Sequence, residues 1–343
     1  MFTDLFINQR KVSFSAFVNY ALYSSNGYYN KDSKISKNGD FLTSPTISKI
    51  YGQTLAYFLN KEIILKYNNN SNINLIELGS NEGILMSHVV DYIKKYSPGI
   101  YKKLKIILIE RNSNLHKKIN KNLSLHNDKL IVETSIEALS VESKTAIIFC
   151  NEFFDALPFE RCVLLDEKLY QINIYMKNGE ILESLDLLDS NLHEKFSQYN
   201  LKCADNIFFE FPVLEYEKYF ELLSKKFRNI FFLINDYGNK SDFFHSSPDP
   251  FGTSRCFFEH KVSRDFYQNI FNQDITHDVN FSFLSLVAKK FNFKEDNFFS
   301  QTKFFIDNDD VMELWTEKEY GALKKLVPPN SMGEKFKFIL FKR

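Results

Sequence analysis

The spacing of apolar residues changes along the chain near residue 70. Within residues 1–70, the segment 13–22 has apolar positions three and four apart, and a second helical pattern is predicted over about 46–67. After a polar stretch at 68–72, short runs of consecutive apolar residues alternate with helical patterns. This change predicts an N-terminal helical unit, residues 1–70, followed by an α/β domain, residues 71–343.

The consecutive apolar runs predict buried strands of a parallel sheet with helices on both faces. The predicted strands are, in chain order, residues 73–78, 105–110, 130–133, 146–150 and 230–235, with a terminal strand at 336–341. Helices are predicted at 84–96 and 113–125. Between residues 159 and 228 three shorter runs predict a β-meander, with Asn178-Gly179 as a hairpin turn. We therefore predict a Rossmann-like α/β fold with a β-rich insertion at about 159–228 that contacts the substrate.

The turn after the first predicted strand carries the main chemical signal. Residues 79–83 read Gly-Ser-Asn-Glu-Gly, and a predicted helix follows. Gly79 permits a tight turn and a close approach of a ligand to the backbone, and Gly83 lets the helix pack near the sheet. Asn81 stands where a third glycine is typical, and asparagine enters the left-handed conformation readily. Because ligands of open α/β sheets bind beyond the carboxyl ends of the strands, this turn predicts a cofactor site.

The charge of the turn distinguishes between two classes of cofactor. A dinucleotide fingerprint needs GxGxxG to seat a pyrophosphate, whereas Gly79 and Gly83 are four positions apart and Glu82 would repel a pyrophosphate. S-adenosyl-L-methionine has a positive sulfonium and no phosphate, so an acidic turn suits it better. Glu110, at the end of the next predicted strand, can accept hydrogen bonds from both ribose hydroxyls. A glycine turn without any ligand is the simpler alternative and stays open.

Several segments of the chain resemble one family of methyltransferases. These segments are residues 17–29, 39–45 (GDFLTSP), 77–83, 151–158 (NEFFDALP), 236–238, 252–255 and 274–281 (DITHDVNF). The family contains bacterial and mitochondrial methyltransferases, among them the protein arginine methyltransferase that is assembly factor 7 of respiratory complex I. Thr46 and Asn81 depart from the family pattern. The resemblance implies S-adenosyl-L-methionine as the cofactor and an arginine of a complex I subunit as the methyl acceptor.

The NEFFDALP segment supplies candidate groups for an arginine acceptor. A guanidinium is planar and protonated, so paired carboxylates can hold it and leave one nitrogen directed at the methyl group. Glu152 and Asp155 follow the predicted strand 146–150, and we predict both as catalytic groups, with Asn151 near the cofactor. His277 is a third candidate, as a proton acceptor. The alternatives are that Asp155 caps a helix and that His277 is structural.

The N-terminal unit also contributes to the predicted cofactor site. Asp40 and Thr43 are predicted to close it, although a turn held by the Asp40 side chain explains that segment equally well. The full set of predicted cofactor-binding residues is Asp40, Thr43, Glu77, Gly79, Ser80, Asn81, Gly83, Glu110 and Asn151.

Composition bears on the classes of partner, while the resemblance implies a protein substrate. The 43 basic and 43 acidic residues give a net charge of zero, which lends no support to nucleic-acid binding. The four cysteines form no CxxC pair, so no metal site is predicted. No apolar run reaches the length of a membrane span and no signal-type segment is recognised, so a cytoplasmic location is predicted. Two other functions stay open: a non-catalytic assembly factor that docks a protein partner, and a methyltransferase for small molecules or tRNA.

Overall fold

The computed structural model contains both strands and helices and describes residues 2–6, 10–31, 47–64, 72–241, 249–314 and 317–343. The strands are β1 (Val12–Ser13), β2 (Ile73–Leu78), β3 (Leu104–Ile109), β4 (Leu130–Glu133), β5 (Thr145–Asn151), β6 (Glu160–Leu165), β7 (Lys168–Lys177), β8 (Glu180–Leu187), β9 (Phe208–Phe211), β10 (Asn229–Asn239), β11 (Arg255–Phe258), β12 (Lys261–Ser263), β13 (Asp274–Thr276), β14 (Val279–Asn280), β15 (Lys294–Ser300) and β16 (Phe336–Lys342). The α-helices are α1 (Phe14–Tyr23), α2 (Lys49–Phe58), α3 (Ile84–Tyr96), α4 (Pro98–Tyr101), α5 (His116–Asn122), α6 (Ser190–Gln198), α7 (Val213–Lys226), α8 (Phe281–Lys290), α9 (Gln301–Ile306) and α10 (Glu317–Leu326). Short 3₁₀ or π segments occupy Phe2–Phe6, Tyr28–Asn30, Leu59–Ile64, Ser113–Leu115, Ser124–His126, Asp309–Leu314 and Pro329–Gly333.

The apolar runs of the sequence form the main sheet, whose strand order is β15-β16-β10-β5-β2-β3-β4. The consecutive strands β10, β5, β2, β3 and β4 are parallel, and β16 is antiparallel to its neighbours β10 and β15. Every residue of β2 is buried, as expected for a strand covered on both faces. The predicted Rossmann-like α/β fold is confirmed.

The strand order reverses between β2 and β5. The chain passes from β2 to β3 and β4 on one side and returns to β5 on the other. In such sheets this reversal leaves a crevice at the carboxyl ends of the two strands, where ligands bind. Leu78 pairs with Cys150 in this register. The glycine turn, residues 79–83, and Asn151 therefore follow neighbouring positions of β2 and β5.

The chain forms two compact units, each assembled from three segments. One, here called the meander unit, contains Met1–Lys31, Phe154–Phe220 and Gly238–Lys290; the other, the sheet unit, contains Asp32–Phe153, Glu221–Tyr237 and Phe291–Arg343. The meander unit has a sheet of order β1-β7-β6-β9, with β8 paired to β7, and a smaller sheet of order β12-β11-β13. The predicted domain boundaries, residues 1–70 and 71–343 with an insertion at about 159–228, stay a prediction.

The β-meander forms as predicted. Two helices that were not predicted from the sequence pattern follow it. β7 and β8 are joined by Asn178-Gly179, whose φ angles of 54° and 83° suit the predicted hairpin turn. Helices α6 and α7 also lie within residues 159–228. Buried side chains of α7 recur three or four positions apart, at Val213, Tyr216, Phe220 and Leu223. The helical period, and not the strand propensity of its aromatic residues, decides the structure of this segment.

Candidate cofactor and active site

The glycine turn connects β2 to α3 through three residues with a left-handed backbone. The φ angles of Gly79, Asn81 and Gly83 are 66°, 49° and 73°. Glycine enters this region freely, and asparagine does so more readily than most residues. The N–H of Gly79 donates to the carbonyl of Ile109 at 2.9 Å, which joins the turn to the end of β3. Asn81 thus takes the conformation predicted from the sequence.

A buried carboxylate, Glu77, and a partly buried one, Glu110, hold the turn and the start of α3. Glu77 is 4% exposed and accepts a hydrogen bond of 3.2 Å from the N–H of Met86, in the first turn of α3. Glu110 accepts the N–H of Asn81 at 2.7 Å and that of Asn112 at 2.9 Å. Burial raises the pKa of both carboxyls above the ordinary range, and the charge of Glu110 raises the pKa of Glu77 further. The two acids lie at neighbouring strand ends.

The polar groups around the turn suit a positively charged ligand that donates hydrogen bonds. Ser80 Oγ is buried and has no hydrogen-bond partner among the residues that the structure describes. The carboxylates of Glu77 and Glu110 favour a cation or a donor hydroxyl. Glu82 is partly neutralised by Lys118, at 3.0 Å, so the electrostatic case against a pyrophosphate rests on Glu77 and Glu110. These groups fit the sulfonium, the ammonium and the ribose hydroxyls of S-adenosyl-L-methionine.

Glu152 leaves the end of β5 with a left-handed backbone. Its φ angle is 50°, a conformation that is strained for a glutamate and that clusters at functional sites. Its N–H donates to the carbonyl of Asn235 at 2.9 Å, and its Oε1 accepts a hydrogen bond of 2.9 Å from Asn151 Nδ2. The predicted catalytic Glu152 and the predicted cofactor residue Asn151 therefore contact each other directly.

Sequence reasoning missed two residues that contact Asn151. The hydroxyl of Tyr51, in α2, lies 2.8 Å from the Oδ1 atoms of both Asn151 and Asn235. Asn235 is the register partner of Asn151 on β10. Both apolar runs end in a polar asparagine, which was the available signal for Asn235. Tyr51 gave no such signal, because a tyrosine among apolar positions of a helix reads as core.

Phe153 connects the end of β10 to the glycine turn. Its N–H donates to Asp236 Oδ2 at 3.1 Å. Its ring lies against Gly79, where an added Cβ atom would come within 2.6 Å of Phe153 Cδ2. Gly79 is therefore required both for its left-handed backbone and for the space that the ring occupies.

The other predicted catalytic residues, Asp155 and His277, belong to the meander unit, where the N–H of His277 donates to the Asp155 carbonyl at 3.0 Å. His277 is 1% exposed, and its Nδ1 lies 3.0 Å from the carbonyl of Asp278. Because a carbonyl only accepts, we assign the ring proton to Nδ1, which leaves Nε2 as an acceptor without a hydrogen-bond partner in the described part of the chain. Burial lowers the pKa of this imidazole below its ordinary value, so the ring is neutral near pH 7.

The predicted site residues are divided between the two units. The cofactor residues of the sheet unit are Glu77, Gly79, Ser80, Asn81, Gly83, Glu110 and Asn151, and the same unit holds Glu152. Asp40 and Thr43 lie outside the described residues. Within the described ranges, no helix has the length and apolarity to cross a membrane, and no group of three or more His, Cys, Asp or Glu side chains could hold a metal ion.

Comparison with protein families decides the class of the cofactor. The sequence model of a family of S-adenosyl-L-methionine-dependent methyltransferases matches residues 56–298, more than half of the chain. The chain belongs to this family. The matched segment contains the glycine turn and the NEFFDALP segment, and the family's cofactor is the one that the turn predicts. S-adenosyl-L-methionine supplies an electrophilic methyl group, and the residues that would hold it here are those of the sheet unit named above.

Two curated relatives of this chain come from animals. The chain is 24% identical over 290 residues to the mitochondrial protein arginine methyltransferase NDUFAF7 homolog of Drosophila melanogaster. It is 22% identical over 294 residues to the protein of the same name from Caenorhabditis elegans. Each alignment covers 77% of this chain but 63% and 64% of the relatives, so the chain spans less than two thirds of their length.

Two solved structures from Burkholderia thailandensis share the fold of this chain. One contains bound S-adenosyl-homocysteine; it has a TM-score of 0.82 and 19% identity, and the match covers 97% of this chain and 88% of that chain. The other is a native structure with a TM-score of 0.79 and 20% identity, and the match covers 97% and 87%. The shared fold extends over nearly the whole chain.

The buried Glu77 leads to a prediction about stability. Burial raises the pKa of its carboxyl in the folded state, so its stabilising contribution is present at low pH and is lost as the pH rises through that raised pKa. Glu77→Gln removes the charge and keeps an oxygen for the Met86 N–H. We expect its free energy of unfolding to exceed that of the wild type by about 1–3 kcal/mol near pH 8, with a smaller difference near pH 4.

Urea unfolding of the ligand-free protein at both pH values measures this difference. The exposed Glu142, in the same unit, provides the control Glu142→Gln, which should follow the wild type at both pH values. A stability difference for Glu77→Gln that is the same at both pH values would contradict the prediction.

Proposed function

We propose that this chain is a protein arginine N-methyltransferase that uses S-adenosyl-L-methionine as the methyl donor. The observation that carries the proposal is the position of Glu152 at the end of β5, beside β2 and its glycine turn. A strained backbone and the amide of Asn151 direct its carboxylate. A carboxylate is the group that best recognises a planar guanidinium, and the curated relatives are named as arginine methyltransferases.

In the proposed reaction, Glu152 acts on the acceptor. It accepts charge-assisted hydrogen bonds from the guanidinium and holds the positive charge close to the carboxylate. The nitrogen directed away from the carboxylate then has more lone-pair density for attack on the methyl carbon. When bound, S-adenosyl-L-methionine would supply the methyl group: a C–N bond would form as the C–S bond breaks and its electron pair passes to sulfur, and the proton of the methylated nitrogen would pass to a base, the role predicted for His277. The protein contributes mainly the alignment of the reactants and the exclusion of water.

Asp155 and His277 are proposed as further groups on the acceptor side. His277 is neutral and has an acceptor lone pair on Nε2, which suits the uptake of a proton. A complex I subunit is proposed as the protein substrate because the NEFFDALP segment resembles the assembly-factor family. The cytoplasmic location stays a prediction, and the curated relatives are named as mitochondrial proteins.

The geometry of Asn81 bears on the alternative of a non-catalytic docking protein. That alternative expects the missing glycine to have damaged the cofactor turn. Asn81 instead has a φ angle of 49°, and its N–H donates to Glu110 at 2.7 Å. The turn keeps its shape, which favours the enzyme over the docking protein.

Transfer of labelled methyl groups tests the proposed function. The full chain is incubated with S-adenosyl-L-methionine labelled in the methyl group and with a lysate from a strain that lacks the endogenous protein. We expect label in protein, and methylated arginine after acid hydrolysis, together with calorimetric binding of S-adenosyl-homocysteine. Binding without transfer to any protein would favour the docking alternative. Label in lysine, tRNA or small molecules would reject the arginine assignment.

A further inference from the structure

A buried tyrosine contacts two asparagines that are paired on neighbouring strands. Tyr51 belongs to α2 and is 1% exposed. Its hydroxyl lies 2.8 Å from Oδ1 of Asn151 and 2.8 Å from Oδ1 of Asn235. Because these asparagines are paired in register on β5 and β10, one hydroxyl reaches both amide oxygens.

The orientation of each asparagine amide follows from the contacts of its nitrogen. Nδ2 of Asn151 donates to Glu152 Oε1 at 2.9 Å, and Nδ2 of Asn235 donates to the Lys337 carbonyl at 3.2 Å. A carboxylate and a carbonyl only accept, so both nitrogens face these groups and both Oδ1 atoms face Tyr51. The Tyr51 hydroxyl is therefore the donor that the two amide oxygens share.

The hydroxyl of Tyr51 keeps its proton. Burial raises the pKa of this phenol well above its ordinary value, and the charge of Glu152 raises it further. The ring packs on Phe304, Phe305 and Phe338 with centroid distances of 6.3, 6.4 and 6.4 Å. Tyr51 therefore stays protonated near neutral pH and its hydroxyl remains a hydrogen-bond donor.

Loss of this hydroxyl would change the environment of Glu152. Without the donor, the amide oxygens of Asn151 and Asn235 lose the hydroxyl that they share, and Asn235 is buried, so this loss costs free energy. Asn151 can relieve the conflict by turning its amide. Its oxygen then faces the carboxylate of Glu152, and two acceptors repel each other. Each response weakens the hydrogen bond that orients Glu152.

We propose that Tyr51 is a positioning residue for methyl transfer: through Asn151 it holds the Glu152 carboxylate in the direction that receives the acceptor. The inference rests on the proposed function, because Glu152 is the acceptor group there. It gives α2 a role in positioning Glu152, in addition to the packing of its buried face in the core. The role requires no contact between Tyr51 and the reacting atoms.

Tyr51→Phe tests the inference with a change of one oxygen atom. We expect kcat to fall about tenfold, while the Kd for S-adenosyl-homocysteine changes less than about twofold. The matched control is Tyr101→Phe, which removes a buried hydroxyl that lies 2.7 Å from His126 Nδ1 in the same unit. The control should leave kcat unchanged. Equal kcat values for Tyr51→Phe and the wild type would overturn the inference.

A double-mutant cycle separates positioning from a general loss of structure. If Tyr51 acts through Glu152, Tyr51→Phe should cause no further loss of kcat in a Glu152→Ala background, which lacks the side chain that Tyr51 would position. A full additional tenfold loss there would show that the two residues act independently and would overturn the inference.

A measurement that requires no catalysis separates the test of Tyr51 from the test of the proposed function. The N–H of Glu152 donates to the Asn235 carbonyl, so its exchange with solvent deuterium reports how firmly the residue is held. We expect about tenfold faster exchange in Tyr51→Phe than in the wild type and in Tyr101→Phe. Equal exchange in all three proteins would reject the role of Tyr51, whether or not the wild type methylates a protein.

Discussion

Replacing Glu152 with glutamine is expected to lower kcat for arginine methylation by about 10²–10³-fold, because the side chain loses its charge and one of its two acceptor oxygens, so the charge-assisted hydrogen bonds to the guanidinium are lost. Glutamine has the same length and keeps an oxygen that can accept the hydrogen bond from Asn151. The backbone at φ 50° therefore keeps its support from the Asn235 carbonyl. Single-turnover methylation measures the chemical step, and calorimetric titration with S-adenosyl-homocysteine measures the binding, which should be retained.

Glu133→Gln is the matched control for this substitution. Glu133 is also the last residue of a parallel strand, β4, and it lies at the edge of the same sheet. Its replacement should leave both kcat and binding unchanged. If Glu152→Gln retains the wild-type kcat, Glu152 does not hold the acceptor. If instead only the binding of S-adenosyl-homocysteine is lost, the carboxylate belongs to the cofactor side of the site.

The elements around the cofactor turn could be predicted from the sequence almost residue by residue. β2 and α3 have the predicted bounds, Ile73–Leu78 and Ile84–Tyr96. The reason is local: a continuous apolar run, a turn that needs left-handed residues and an amphipathic helix follow one another without interruption. Asn81 fits this pattern because its preference for a left-handed backbone is intrinsic to the side chain.

Contacts between distant segments could not be predicted in this way. Tyr51 reaches Asn151 and Asn235 across 100 and 184 positions of sequence, and no periodicity or motif encodes such pairs. Unit membership could not be predicted from sequence proximity either, because Glu152 and Asp155 are three positions apart yet belong to different units. Their common role at one site stays a prediction.

The contact between Phe153 and Gly79 gives the turn two requirements, one visible in the sequence and one visible only in the structure. The sequence explains why residue 79 is glycine through its backbone conformation, and φ is indeed 66°. The second reason appears only in three dimensions, where a Cβ atom would lie 2.6 Å from Phe153 Cδ2. The N–H of Phe153 is held by Asp236 at 3.1 Å, so the ring does not withdraw freely.

Gly79→Ala is therefore expected to weaken the binding of S-adenosyl-homocysteine by about 100-fold or more. The left-handed conformation costs an alanine about 1–2 kcal/mol, and displacement of the Phe153 ring adds to that cost; about 2.7 kcal/mol in total corresponds to 100-fold. Calorimetric titration measures the change. Gly99→Ala is the control, since no heavy atom lies within 4 Å of its added Cβ, and it should bind as the wild type does.

The double variant Gly79→Ala with Phe153→Ala separates the two causes. It removes the steric conflict and leaves the strained backbone, so affinity should recover in part relative to Gly79→Ala, once compared with Phe153→Ala alone. Full recovery would mean that Gly79 is needed only for the space beside the ring. No recovery would mean that the backbone angle alone shapes the turn. Wild-type affinity in the single Gly79→Ala variant would contradict both causes and would remove the glycine turn from the cofactor site.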